Sequence, residues 1–431
     1  MKTVLFVLVL TKTAFCEAPN LHAYFSERLV GIATGFSTLR QVKKVEQEVR
    51  GGKLTATLDI EALPSADVVR NANAATYLVT LTGSASAKDQ VWKTPSAEVN
   101  TTLSTQFRVE KNLAFDGFLI TSKPSKAKAE TKIQVVDGKA KQKSFATVVA
   151  KTKAKHDREK SEAAASEAMA TVLTESLDAQ VEARLTNGGT LEELKALLGI
   201  DSSQAHTFRG KVTSESTDDH MIFHIGIGGD DMVQGSAPQV PLPDSDLGIL
   251  VHEAALNNAF DLHAGDVITD DHVFSLHKTI LSEEPFDLRP HDRTDRWEVK
   301  LADKYPLRIL FREGLIDIRM RLASWRRTPP GEDTVEYSGP TEIRTRFRLE
   351  NTPCIRAVRV GDVEVSDGQG GKLDAEESAF LQTKFAAFFA EHWDFDGLEA
   401  PKGSSLEGFA RLKTTQLHVA DRWLKLGWTL R

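Results

Sequence analysis

The stretch from Phe208 to Ile227 (FRGKVTSESTDDHMIFHIGI) is echoed 201 positions later, from Phe409 to Trp428 (FARLKTTQLHVADRWLKLGW). Phe208/Phe409, Thr213/Thr414 and Gly226/Gly427 are identical, and apolar residues coincide at Phe223/Leu424, Ile225/Leu426 and Ile227/Trp428. Three identities in twenty positions gain weight only because each copy closes a matching series of elements. That arrangement predicts a duplicated α+β unit.

The first unit, 17–235, opens on LHAYFSERLVG, where Leu21, Phe25 and Leu29 fall at i, i+4 and i+8 and predict a helix ending at Gly31. Strand-like runs follow at Val42 to Val49, Leu54 to Ile60, Tyr77 to Thr82, Glu98 to Val109, Phe115 to Thr121 and Lys132 to Val136, an antiparallel meander with Asp116-Gly117 as a turn. From about His156 to Leu185 the chain is rich in Ala, Glu and Lys and lacks Gly and Pro, which predicts a long helix. A capping box at Thr190 to Glu193 starts a shorter one.

The Pro-rich segment 236–246 reads as a linker, and the second unit, 247–431, repeats the order. A short strand at Gly248 to Val251 enters the helix HEAALNNAFDLHAG. Strands are predicted at Trp297 to Leu301, Leu307 to Phe311, Leu315 to Leu322 and Ile343 to Leu349, with Glu313-Gly314 as a hairpin turn. A helix from Ala375 to Trp393 is opened by Asp374, with Glu377 reaching back. The expected fold is therefore α+β: two tandem units, each a curved antiparallel sheet packed on or around long amphipathic helices.

Composition limits the functions open to such a chain. With 431 residues and 41% hydrophobic content it can fill more than one core, and a net charge of −7 with a pI near 6.0 argues against nucleic acid as its partner. Lys2, the apolar run Val4 to Leu10, and Ala14-Phe15-Cys16 predict an export signal over 1–16. Cys16 is then removed or becomes a lipid-modified N-terminus; the bland alternative is a buried first strand. Of the two cysteines, Cys354 reads as a small buried hydrophobe.

Catalytic and metal motifs fail on inspection. His252-Glu253 lacks the second histidine of HExxH, because Leu256 stands there. His252, His263, His272, His277 and His291 show no paired ligand spacing, and His220 and His224 share one face of a strand, read as solvated. The run Asp367 to Asp374 lacks the glycine and glutamate of a calcium loop. Gly226 to Asp231 puts two carboxylates where a phosphate loop needs amides. No G-x-S-x-G elbow is present. No cofactor and no metal site is expected.

Three features remain. From Lys123 to Lys160 there are eleven lysines and one arginine. Arg319 and Arg321, and Arg344, Arg346 and Arg348, alternate with apolar residues on two strands, a face suited to anionic lipid head groups or simply the polar outside of a sheet. Phe380, Phe385, Phe388 and Phe389 with Trp393 make an aromatic helix face, suited to an apolar ligand or to a packed core.

The order of elements resembles the tubular lipid-binding superfamily, whose best-known members are the bactericidal/permeability-increasing proteins. That resemblance implies two units, each a long helix wrapped by a curved sheet, with lipid held between them. The strings VHEAALNNAF, LTGSASA and WLKLGW resemble a bacterial family of exported proteins for which the resemblance implies no chemistry. The expected function is a non-enzymatic exported binding protein, periplasmic or extracellular, holding lipid or another elongated apolar ligand. The alternative is a structural or protein-interaction component of the cell envelope with packed cores.

Overall fold

The computed structural model describes residues 19–33, 38–49, 52–93, 95, 97–115, 120–140, 158–186, 212–228, 233, 245–269, 296–329, 331–351, 355–368, 373–394, 397–398 and 412–430. In chain order these form β1 (Leu21–Ser26), α1 (Glu27–Ala33), β2 (Leu39–Val49), β3 (Gly52–Val69), β4 (Ala75–Lys93), β5 (Ala97–Phe115), β6 (Ile120–Ser122), β7 (Lys126–Ala140) and α2 (Arg158–Thr186). Then come β8 (Val212–Ser216), β9 (His220–Ile225), β10 (Leu247–His252), α3 (Glu253–Phe260), β11 (Val267–Thr269), β12 (Arg296–Leu301), β13 (Leu307–Arg312), β14 (Leu315–Thr328), β15 (Val335–Tyr337) and β16 (Thr341–Glu350). The chain closes with β17 (Arg356–Arg359), β18 (Glu364–Ser366), α4 (Ala375–Phe388), β19 (His392–Asp394), β20 (Gly397–Leu398), β21 (Leu412–Ala420) and β22 (Trp423–Leu430). The predicted signal over 1–16, the Asp116-Gly117 turn, the Thr190 helix, Cys354 and all but the last two residues of the linker lie outside the described residues.

The α+β expectation is overturned: strands hold 61% and helices 20% of the described residues, so the fold is mostly β. Among the described residues the α-helices are 7, 29, 8 and 14 residues long, and the longest, α2, buries a single file of described side chains, Met169, Leu173, Leu177 and Val181. Among the described residues no long, broadly amphipathic helix organises the sheets. Two local misreadings contributed. Leu21 and Phe25 belong to strand β1 with Ala23 between them, all three buried, because an i, i+4 pair satisfies two strand alternations as well as one helical turn. At the other end α4 stops at Phe388, and Trp393 falls in β19, where it pairs with Ala357 of β17. The Asp374 cap is present: its carboxylate accepts the amides of Glu376 and Glu377 at 2.9 Å, and the Glu377 carboxylate accepts the Asp374 amide in return.

The chain divides into two compact units, one holding β2 to β7 with α2 and the last two residues of β8, the other β1, the first three residues of β8 and β9 to β22. In the first, β2-β3-β4-β5 form a continuous antiparallel meander with β6 and β7 both pairing β5. Register shifts fall in one band across the strands, between Thr55 and Asp59, Ala87 and Gln90, and Asn100 and Thr101. Bulges bend and twist the strands that carry them, so a row of them creases strands of 15 to 19 residues into a curved half-barrel. The inner face carries Leu58, Ile60, Tyr77, Val79, Leu81, Leu103, Phe107 and Val109, all buried. Gly83 in the LTGSASA strand is required there, since a Cβ would lie 2.1 Å from the Glu61 carbonyl and 2.8 Å from the Phe107 ring.

The second unit contains a seven-stranded sheet ordered β20-β21-β22-β10-β1-β9-β8, which draws strands from both sides of segment 236–246. The hairpin β21–β22 flanks β10 and the pair β9, β8 flanks β1, so the two echoed sequences lie on opposite sides of the central pair β1–β10. One face of this sheet is apolar, with Leu417, Leu426, Ile249, Ala23 and Phe223 in one cross-strand row. The other carries His418, Lys425, Leu250, His22 and His224 in the next. A nine-stranded sheet, centred on β14 and β16, buries Ile316, Ile318, Met320 and Leu322 against Ile343 and Phe347 and turns its alternate residues outward. Glu313-Gly314 closes the β13–β14 hairpin with both residues at positive φ, 51° and 75°.

Candidate functional site

The most constructed polar features of the chain are two helix-to-strand seams. In the second unit, β13 pairs only with β14, and α3 lies along its other edge. Glu253, Asn257 and Asp261, spaced i, i+4 and i+8, meet successive positions of that edge. Glu253 Oε2 accepts the Phe311 amide at 2.8 Å, and Asn257 accepts the Ile309 amide at 2.7 Å while donating to the Ile309 carbonyl at 3.2 Å. Asp261 takes both terminal nitrogens of Arg308, at 2.8 and 2.9 Å. His252, whose side chain accepts the Ala254 amide at 3.1 Å, is the N-cap of this helix. The HE pair that fails as a zinc motif is thus the start of an edge-closing stripe.

The first unit repeats the device. Glu162 on α2 accepts the Ile133 amide at 2.8 Å and Ser166 the Thr131 amide at 3.0 Å along the edge of β7 away from β5, and Asp178 accepts the Ser125 amide at 3.2 Å just before that strand begins. The spacing works because four helical residues rise about 6.0 Å and two strand residues about 6.6 Å. An antiparallel helix therefore keeps step with an edge over several turns. An open strand edge invites pairing with another chain, and these side chains occupy its donors. The Ile133 amide, with Arg158 and Lys132, holds the Glu162 carboxyl below its ordinary range. At Asp178 burial pulls the other way, yet hydrogen bonds from Lys111 and Ser125 prevail and its carboxyl is lowered too. Lys111 itself is nearly enclosed, its side chain 4% exposed, and bonds Asp178 and the Lys123 carbonyl.

The arginine face predicted from sequence does lie together on the outside of β14 and β16, and each of its five arginines lies near a carboxylate. Asp317, absent from the sequence reading, is 7% exposed and accepts Arg344 at 2.6 Å and Arg319 at 3.2 Å. Burial alone would raise its carboxyl, but the two guanidinium groups hold it lowered. Arg321 meets Glu342 at 3.0 Å, Arg346 meets Glu364, and Arg348 lies 3.9 Å from Glu350. Asp317 was legible only as the outward partner in the Asp-x-Arg alternation of β14.

The aromatic residues divide by environment. Phe385 and Phe389 are buried and stack at 6.2 Å, with Phe388 edge-on to Phe389 at 4.9 Å. Phe380 stacks on Trp325 at 5.6 Å under Arg327, and Trp393 stacks on Phe347 at 4.0 Å. Phe380 thus ties α4 to β14, and the Trp393–Phe347 stack lies within the nine-stranded sheet, of which β19 is the end strand.

No family model matches this chain and no curated protein does. Among solved structures it is similar to lipopolysaccharide binding protein, at 10% identity over 96% of this chain and 99% of that one, with a TM-score of 0.34. It is also similar to P47 of Clostridium botulinum E1 (10% identity, 96% and 99% covered, TM-score 0.26) and to P47 from Clostridium botulinum A2 (8%, 95% and 97%, 0.23). These likenesses carry no residue role across.

The histidines resolve differently from the sequence reading. His224, expected on a solvated face, stands opposite His22 in register, with their Nδ1 atoms 2.6 Å apart and Trp423 5.3 Å from His22. Burial, with the neighbouring His224, lowers His22 to about 4. His263 bonds Asp266 at 2.9 Å, and His272, His277 and His291 lie outside the described residues. Among the described residues no group of three His, Cys, Asp or Glu is placed to hold a metal, and no helix is long and apolar enough to cross a membrane. A cleft of about 260 Å³ at the end of the meander is lined by Arg70, Asn71, Asn112, Thr121 and Lys123 among others.

Proposed function

We propose that this chain is a non-enzymatic exported binding protein that holds lipid or another elongated apolar ligand along the concave face of the meander β2 to β7. The observation that carries this reading is a mismatch of widths. The creased sheet presents apolar residues on β3, β4 and β5, whereas α2 offers one file of four apolar side chains and is fastened by its polar stripe to β7 at the margin. A helix about 10 Å across, tethered to one strand, spans only part of that face, whose apolar residues are already buried, so a chain-like ligand would enter by taking the place of packing that now encloses them. In the second unit the half-buried Phe380, Phe388 and Trp393 are the aromatic residues left to meet such a ligand. An anionic surface would meet the arginine face through Arg348, the most exposed of the five.

A second reading, a structural or interaction component of the cell envelope, is favoured by the enclosed pair Phe385 and Phe389 and by the carboxylates already paired to the arginine face. Native mass spectrometry of the purified chain with extraction of bound lipid separates the two. Carriage predicts a lipid mass released by solvent and uptake of a fluorescent fatty acid. A ligand-free chain that takes up no probe rules carriage out in favour of the scaffold.

A further inference from the structure

The edges of β7 and β13 are closed by helix side chains, and β2 offers a third long edge with no such cover among the described residues. It is eleven residues long, lies at the end of its sheet and pairs with β3 alone. Val42 is 70% exposed, and Lys43, Lys44, Glu46 and Glu48 are exposed beside it. Charge along this strand is polarised: Arg40, Lys43 and Lys44 stand in its first half, Glu46 and Glu48 in its second. A strand of that kind is complementary to itself reversed.

We infer that the β2 edge pairs antiparallel with the β2 edge of a second copy of this chain. Placing Val45 on the two-fold axis sets Lys44 opposite Glu46 twice and Val42 opposite Glu48, and no like charges face each other between Gln41 and Val49; Arg40 falls opposite Arg50, which lies past the end of β2. Directly opposed cross-strand pairs reward opposite charges and penalise like ones; the neighbouring register centred on Lys44 gains Arg40 opposite Glu48 but opposes Lys44 to itself on the axis, so the register on Val45 is the one with no like pair inside the strand. The contact is isologous and closes as a dimer. Glu46 already meets Lys53 at 2.6 Å and Arg40 meets Glu61 at 2.8 Å, both pairs well exposed. Exposed pairs of this kind contribute little, so Glu46 is free to share its partner at small cost. A strand-edge contact buries less than the roughly 1,200 Å² typical of stable complexes, so the association is weak and concentration-dependent.

Sedimentation equilibrium on the full chain, across a range ending at about 1 mM, tests this. The wild-type chain should show a reversible monomer–dimer equilibrium. Lys44→Glu and Glu46→Lys should each weaken it by about tenfold, by opposing like charges twice. An equimolar mixture of the two variants should associate again, and so should the double variant, because each restores opposite charges at both pairs. Far-UV circular dichroism confirms that the variants, all at exposed positions, are folded. A wild-type chain that stays monomeric, or a mixture no more associated than its components, overturns the proposal.

Discussion

Glu253 accepts the Phe311 amide through one carboxylate oxygen and the Arg422 guanidinium through the other, from a side chain only 1% exposed. One residue thus joins α3, the β13 edge and the β21–β22 hairpin. Glu253→Ala strands a buried amide and removes a charge-assisted bond, which predicts a loss of about 3 kcal/mol. Glu253→Gln keeps an acceptor for Phe311 and should lose about half as much. Urea unfolding of the two variants checks the order, and equal losses would show that the Phe311 bond contributes nothing.

Lys111 and Asp178 form the corresponding tie in the first unit. Removing only the carboxylate leaves a nearly enclosed ammonium with the Lys123 carbonyl, a loss expected at roughly 3 kcal/mol. Replacing Lys111 with Met removes the charge that needs compensating. The prediction is that Lys111→Met/Asp178→Ala is more stable than Asp178→Ala alone, read from denaturant midpoints. If the double variant is the less stable of the two, the lysine does not depend on Asp178.

What the sequence made legible, and what it hid, follows from the range of each signal. Strand alternation, the Glu313-Gly314 turn, the Asp374 cap and the body of α2 are local, and a short window contains all that determines them. The β1 segment failed because Leu21 and Phe25 fit both periods, and pairing with β9 and β10 decides between them. The arginines were legible as a face, but Asp317 gains its meaning from Arg344 on the neighbouring strand, 27 positions away. The seams were hidden for the same reason. Glu253, Asn257 and Asp261 read as one polar stripe of a helix, and only the β13 edge, some fifty residues on, explains why Glu253 and Asn257 are buried and Asp261 half-buried.

The His22–His224 contact predicts an acid-sensitive sheet. His22 has a folded value near 4, below the 6.5 of the unfolded chain, so below 6.5 the unfolded state binds the extra proton. Its stabilising contribution is full above 6.5, falls between 6.5 and 4, and is gone below 4. The loss is at most on the order of 3 kcal/mol. The depressed carboxylates Asp178, Asp317 and Glu162 begin to weaken the fold only as pH approaches their unfolded values of 3.8 to 4.5, so urea midpoints compared at about pH 7.5 and 5.5 isolate the histidine. His22→Gln should flatten the difference; an unchanged slope would assign the acid sensitivity elsewhere.

The β21–β22 hairpin turns through Asp421 and Arg422, at φ 50° and 69°, a two-residue turn that ordinarily favours Asn-Gly. Relieving the left-handed strain with Arg422→Gly should return about 1 kcal/mol. The same change removes the guanidinium from buried Glu253, a charge-assisted bond worth roughly 1.5–3 kcal/mol, so the net effect is predicted to be destabilising. Asp421→Asn eases the turn without touching that bond and should leave stability equal or slightly higher. Thermal unfolding should therefore rank Asp421→Asn at or above wild type and Arg422→Gly below it. In a Glu253→Gln background, where the carboxylate's charge is already gone, the penalty of Arg422→Gly should shrink. A penalty of the same size there would mean that the arginine serves the turn through something other than Glu253.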